Sequence, residues 1–279
     1  MASTTTHVVD RWSAKLTVAY HGANYVGWQV QPNGESVQQV LEQAWHGITG
    51  ERLRITASGR TDSGVHALGQ VCSCHTQTRL APHSLKRGLN AKTPIDISVV
   101  DVVRAAPGFH AIRDAVSKTY LYRIQTDAML SPFEHNRSWH VPRPLDLQAM
   151  HLAAEFLRGT HDFSCFESAG SARRNKVRTL AELQFVHHEE GPFHFLVIKM
   201  TADGFLFNMA RNIVGTLVEV GRGKRAAHAM SELLATRDRR MAGVTAPPHG
   251  LYLWSVDYPP HHLPDHPSDD VESPARRTV

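Results

Sequence analysis

The stretch SGRTDSGVHALGQV, residues 58–71, gathers residue types from which a reactive site can be built. Gly59 and Gly64 permit positive φ and close backbone approach, while Thr61, Asp62 and Ser63 can bond local amides. Such a loop can hold a carboxylate fixed and exposed beside Arg60, where it can attack a substrate and later leave as a nucleophile. A turn closed by an Asx-type hydrogen bond accounts for the same residues, and the segment reads as neither helix nor strand. A glycosidase-type use of Asp62 requires a second carboxylate, and the sequence places no convincing partner. No Walker loop, no G-x-G-x-x-G after a strand and no full metal set accompanies it. Cys72 and Cys74 lie in an alternating segment and read as small apolar side chains on one strand face; zinc would need two more regularly spaced ligands. With Cys165 they make three cysteines, which cannot all pair, so a disulfide framework is excluded.

The elements that must position Asp62 flank it closely. Strands are predicted over residues 53–57 and 70–76. Ahead of them come a strand over 15–20, a long irregular connection and an amphipathic helix. That helix opens on a capping box, Ser36 with Gln39, carries Val37, Val40, Leu41, Ala44, Trp45 and Ile48 at helical spacing, and ends near Gly50. A short helix over 82–90 and a strand over 96–103 complete the order β, α, β, β, α, β. The order then repeats without obvious identity between the halves. A strand is predicted over 118–126, a helix over 147–158 with Asp146 as N-cap, and paired strands over 178–187 and 193–202 around Glu190, Gly191 and Pro192. Helices over 208–220 and 226–235 and a strand over 250–258 follow; the first of these helices carries Met209, Ile213, Leu217 and Val220 on one stripe and stops at Gly221.

Two βαββαβ units predict an α+β protein of two ferredoxin-like halves. The expected organisation is a flexible segment over 1–14, halves over 15–112 and 113–259, and a disordered tail over 260–279 that is rich in Pro and charge. Many RNA-binding modules share this topology, as do many unrelated proteins. With 42% hydrophobic and 20% charged residues among 279, the composition fits a soluble globular chain with a packed core. Lys plus Arg number 30 against 26 for Asp plus Glu, and 19 His add further capacity for positive charge, which permits a polyanionic partner without proving one. No apolar run approaches the roughly 18 residues of a membrane span, and the first seven residues lack a cationic start and an apolar stretch, so neither membrane insertion nor export is expected.

GRTDSGVHALGQV resembles, almost residue for residue, the active-site signature of the TruA family of tRNA pseudouridine synthases. The resemblance continues in YHGANYVGWQVQPNGESVQQVLE, FHAIRDAVSKTYLYRI, HDFSCF, GFLFNMARNIVGTLVEVGRG and APPHGLYLWSVDYP, in the family's order, and covers residues 15–259. It implies the pseudouridine synthase fold with a central, mainly antiparallel sheet. It also implies that Asp62 is the catalytic nucleophile, that Arg211 is its guanidinium partner and lowers its pKa, and that Tyr120 lies against the target uracil. Leu251 matches an apolar residue lining the pocket, and Arg60 could fill the space left by a flipped nucleotide or hold its phosphate. The family's reaction breaks the ribose C1′ to uracil N1 bond, turns the base and joins C1′ to C5, with a transient adduct at C1′ or on the base and no cofactor. By the same resemblance the substrate is uridine at positions 38, 39 and 40 of the tRNA anticodon stem-loop, and the enzyme is a cytoplasmic homodimer whose two subunits hold one tRNA. The chain departs from the family at Ile112 and Arg113, where a basic residue followed by an aromatic is common, and at Ala210, where a larger aliphatic is usual. Two basic segments are candidates for RNA phosphate contacts: Arg173, Arg174, Lys176 and Arg178, and Arg222, Lys224 and Arg225. The doubled topology and these segments are equally compatible with a non-catalytic RNA-binding protein.

Overall fold

The computed structural model describes residues 11–170 and 174–260. Its first half runs β1 (Trp12–Tyr20), α1 (Val37–Thr49), β2 (Thr56–Ala57), β3 (His66–Thr76), α2 (Pro82–Lys92) and β4 (Ile97–Ala105). The second half runs β5 (Ser117–Gln125), β6 (Trp139–His140), α3 (Leu147–Glu155), β7 (Gly159–Asp162), β8 (Val177–Glu190), β9 (Phe193–Ala202), α4 (Met209–Gly221), α5 (Ala229–Thr236) and β10 (Leu251–Asp257). All ten strands belong to one sheet ordered β4-β1-β3-β10-β5-β9-β8-β7, with β2 on β3 and β6 on β5. Within it, β4-β1-β3-β2 and β10-β5-β9-β8 repeat one strand order, and the pairings are antiparallel except β10 with β3 and β5 with β6. The ferredoxin-like order arises because each half sends its helices to one side of its strands. From β1, Leu16, Val18 and Tyr20 face that side; from β5, Tyr120, Tyr122 and Ile124 do, and all join one continuous core.

Local chemistry explains the ends of the elements. Ser36 accepts a hydrogen bond from the Gln39 amide at 3.3 Å and Gly50 closes α1 at φ 75°. Asp146 caps α3 by accepting from the Ala149 amide at 2.9 Å. That helix stops at Glu155, earlier than expected, as its last turn tightens and the Leu157 amide bonds the Ala154 carbonyl.

Two expectations need correction. Residues 12–14 are not part of a flexible segment, because β1 starts at Trp12. The Trp12 indole donates to the Thr78 carbonyl at 3.0 Å, and Arg104 lies over its ring, contacts between distant residues that no local pattern reveals. Residues 66–69 are not loop but the start of β3, which begins four residues before the predicted strand; its largely buried faces hide the alternation that marks a half-exposed strand. Residues 1–10, 171–173 and 261–279 lie outside the described residues, and with them most of the predicted tail. Cys72 and Cys74 share the core side of β3; burial pushes both thiols up, that of Cys74 to about 12. Among the described residues no helix is long and apolar enough to cross a membrane.

Candidate active site

The Asp62 loop is pinned from below. The Ser58 amide bonds the Val71 carbonyl at 2.7 Å, and fully buried Gln70 donates to the Gly59 carbonyl at 2.6 Å. Thr61 shares a 2.8 Å hydrogen bond with the Tyr20 hydroxyl. The Trp28 amide donates to the Thr61 carbonyl at 3.0 Å, an approach that requires glycine at the preceding position: Gly27 has φ 106°, and a Cβ there would lie 2.6 Å from that carbonyl. Gly64 at φ 79° then lets the Val65 amide close a turn on the Asp62 carbonyl. The Asp62 side chain takes no part in the turn; its hydrogen-bond partner among the described residues is Arg211, whose Nη1 lies 3.2 Å from Oδ2.

Arg211 comes from the other half, in the first turn of α4. A cation there opposes the helix dipole, so its place is set by the site and not by helix stability. Its Nε donates to the Ala246 carbonyl at 2.8 Å and its Nη1 also to Asn208 Oδ1 at 2.9 Å, which fixes the plane of the guanidinium before it meets Asp62. Asn208 itself sits in the left-handed region at φ 59°. The segment 243–250 acts as a strap: the Ala246 amide bonds back to the Arg211 carbonyl, Thr245 donates to Asn212 Oδ1 at 2.7 Å, and Tyr122 donates to the Pro247 carbonyl at 2.8 Å.

The carboxylate's ionisation differs from expectation. Burial raises the Asp62 pKa above the ordinary aspartate value of 3.8, and the Arg211 charge and hydrogen bond offset this only in part. Sequence carries the guanidinium but not the desolvation, so the downward shift expected from Arg211 alone is corrected to an upward one.

The pair lies in a cleft of about 1090 Å³ between the N-terminal ends of α1 and α4. Tyr120 lines it, 7% exposed, with its ring edge-on to Phe205 at 4.9 Å. Leu251, level with Tyr122 in the β10–β5 register, lines it too, and exposed Arg60 sits at its rim. Five of the expected residues, Asp62, Arg211, Tyr120, Leu251 and Arg60, therefore meet in one space.

The basic segments divide. Arg178 lines the cleft, packed against Gly204, whereas Lys176 is paired with Glu167 and exposed Arg174 does not line it; Arg173 lies outside the described residues. Arg222 and Lys224 are exposed beyond the far end of α4, about 16 Å along the helix from Arg211. Arg225 is held by the Met241 carbonyl and Glu219, so this second cluster is not brought to the cleft. At the departures from the family pattern, Ile112 and Ala210 line the cleft, while Arg113 turns to Asp114 and the Gly108 carbonyl. Sequence reasoning missed Phe205, Asn208 and Lys118, whose Nζ donates to the Ser58 carbonyl at 2.6 Å. For Phe205, the available signal was an aromatic-rich apolar run, Phe205, Leu206 and Phe207, just before a helix.

Fold and site together define an α+β protein of two ferredoxin-like halves that share one sheet, with a carboxylate–guanidinium pair in a cleft. A family model described as tRNA pseudouridine synthase matches residues 16–111 and 153–259, and the chain belongs to that family. It is 45% identical over 244 residues to a protein named tRNA pseudouridine synthase A from Pelobacter propionicus, a match spanning 88% of this chain and 98% of the relative. A protein of the same name from Myxococcus xanthus is 44% identical over 262 residues, 92% of this chain and 97% of the relative. Another from Geobacillus sp. is 42% identical over 245 residues, 88% and 97% of the two chains.

Proposed function

We propose that the chain isomerises uridine to pseudouridine in tRNA, at positions 38, 39 and 40 of the anticodon stem-loop, with Asp62 as nucleophile. The observation that carries this reading is the 3.2 Å contact between Asp62 and Arg211 at the meeting point of the two halves, in a cleft that also presents the Tyr120 ring. The extruded nucleotide enters the cleft and exchanges its lost neighbours for Tyr120 and Leu251. Its entry completes the desolvation of a carboxylate whose side chain is 33% exposed in the free protein. Asp62 then forms a transient bond, at C1′ or on the ring, that holds the fragments while the C1′ to N1 bond is exchanged for C1′ to C5. Arg211 keeps the attacking oxygen charged and oriented, and Arg60 at the rim takes the space or phosphate of the displaced nucleotide. The exchange is internal to the nucleotide and calls for no cofactor. The family resemblance extends the proposal to a cytoplasmic homodimer that holds one tRNA between its subunits, which light scattering of the protein alone and with tRNA would check.

The test is to incubate the protein with unmodified tRNA and map pseudouridine. Product is expected in the anticodon arm with the wild type, and an Asp62→Ala variant is expected to form none while still binding tRNA. Normal product from that variant sinks the assignment of the nucleophile.

A further inference from the structure

Besides the buried floor formed by Tyr120, the cleft holds an exposed aromatic that the reaction at Asp62 does not use. Phe207 is 43% exposed, whereas its neighbour Leu206 is 4% exposed and part of the core. Phe205, Leu206 and Phe207 all border the cleft, and Phe207 is the most exposed of the three. Phe205 is already engaged by the edge of Tyr120. Phe207 has no aromatic partner among the described residues, and its backbone is held in place: its carbonyl accepts from the Ser168 amide at 3.0 Å, and the next residue, Asn208, bonds both Ser168 and Arg211. A flat apolar face is thus fixed one residue from the group that positions the catalytic guanidinium. Arg178, Lys118 and Arg60 line the same cleft, which interleaves cations with an aromatic as single-stranded nucleic-acid grooves do.

We propose that Phe207 is a stacking platform for the nucleotide adjacent to the target uridine, holding it apart from the extruded base. The proposal rests on the tRNA-modifying reading above and names a second nucleotide subsite within that cleft. Sequence preference at this subsite is weak, because every base presents a π face.

The test measures affinity for an anticodon-arm hairpin RNA in an Asp62→Asn background, using the intact RNA and two RNAs with an abasic nucleotide immediately 5′ or 3′ of the target uridine. Phe207→Ala is expected to weaken the intact RNA by roughly 5- to 100-fold, and Phe207→Tyr by less than about 2-fold. On one of the abasic RNAs the loss from Phe207→Ala is expected to vanish, since the base it would have held is already gone. Unchanged affinity in Phe207→Ala, or an equal loss on all three RNAs, overturns the subsite. Wild-type pseudouridine formation is assayed alongside: its absence removes the proposed function and the subsite with it, whereas its presence with an unaltered Phe207→Ala variant removes the subsite alone.

Discussion

Two effects oppose each other on the Asp62 carboxylate. Burial in the cleft disfavours its charge and the Arg211 guanidinium favours it, and burial prevails. The outcome is a more basic carboxylate that is protonated at a higher pH than an exposed aspartate. In the proposed mechanism its reactive form is the ionised one, so activity is expected above the folded pKa and is lost as pH falls through it. The acid limb of the single-turnover rate is therefore expected above the ordinary value of 3.8. Replacing Arg211 with Gln removes the charge that lowers the Asp62 pKa and should move that limb up in pH, as well as slowing the reaction. A limb that stays in place in Arg211→Gln would show that Arg211 does not set the charge of Asp62. The same desolvation implies that Asp62→Asn folds at least as stably as the wild type near neutral pH, by zero to about 1 kcal/mol, read from urea unfolding. Asp62 could be singled out as a candidate because the motif around it resembles the family's signature; its residue types alone fit an ordinary turn. The sign of its pKa shift was not legible, since desolvation depends on walls contributed by both halves.

At the scale of elements, α4 and the strap over 243–250 form one device, and glycine makes it possible. Gly215 lies in the interior of α4, where alanine would raise helix propensity by about 1 kcal/mol. A Cβ at that position would stand 1.7 Å from the Val244 carbonyl oxygen, a backbone atom tied into the Thr245 and Ala246 contacts that hold Arg211. Overlap with backbone cannot be relieved by a rotamer change, so sterics outweigh propensity. Gly215→Ala is expected to lose about 2 kcal/mol or more by denaturant unfolding, and to lose pseudouridine formation under conditions where it remains folded. A variant as stable as the wild type would mean that the strap yields freely. The helix was legible from its apolar stripe and from Gly221, and α1 from Ser36, Gln39 and Gly50. The strap was not, because it works through the carbonyls of Ala246 and Pro247, and carbonyl positions leave no trace in side-chain pattern. β6 and β7 escaped for another reason: two and four residues are too few to show a period.

For the whole molecule, the two halves could be read from the repeated order of elements, but not the way they join. β3 and β10 meet over only two register pairs, Tyr252 with His66 and Leu253 with Ala67, and Gly69 is needed beside them because a Cβ would lie 2.4 Å from the Trp254 carbonyl. His66 supplements this short seam. Its Nδ1 accepts from the Gly22 amide at 3.0 Å in the first half, and its Nε2 lies 3.1 Å from the His249 carbonyl of the strap in the second. An acceptor at Nδ1 and a donor at Nε2 require the neutral ring. Burial, followed by the nearby His21, lowers its pKa to about 4. The unfolded chain, with an ordinary histidine value near 6.5, binds that proton more readily, so stability rises with pH between about 4 and 6.5. His66 thus contributes fully above pH 6.5, and its contribution fades as pH drops towards 4. His66→Gln removes this titration while leaving the other acid-sensitive groups in place. Between pH 7 and pH 4.5 the wild type should lose on the order of 2 kcal/mol more than the variant in urea unfolding. Parallel losses in the two proteins would mean that the ring does not couple the halves through its neutral form. A steeper loss confined to the wild type, with the acid limb of catalysis shifted in His66→Gln, would place the seam and the Arg211 strap in one mechanical unit.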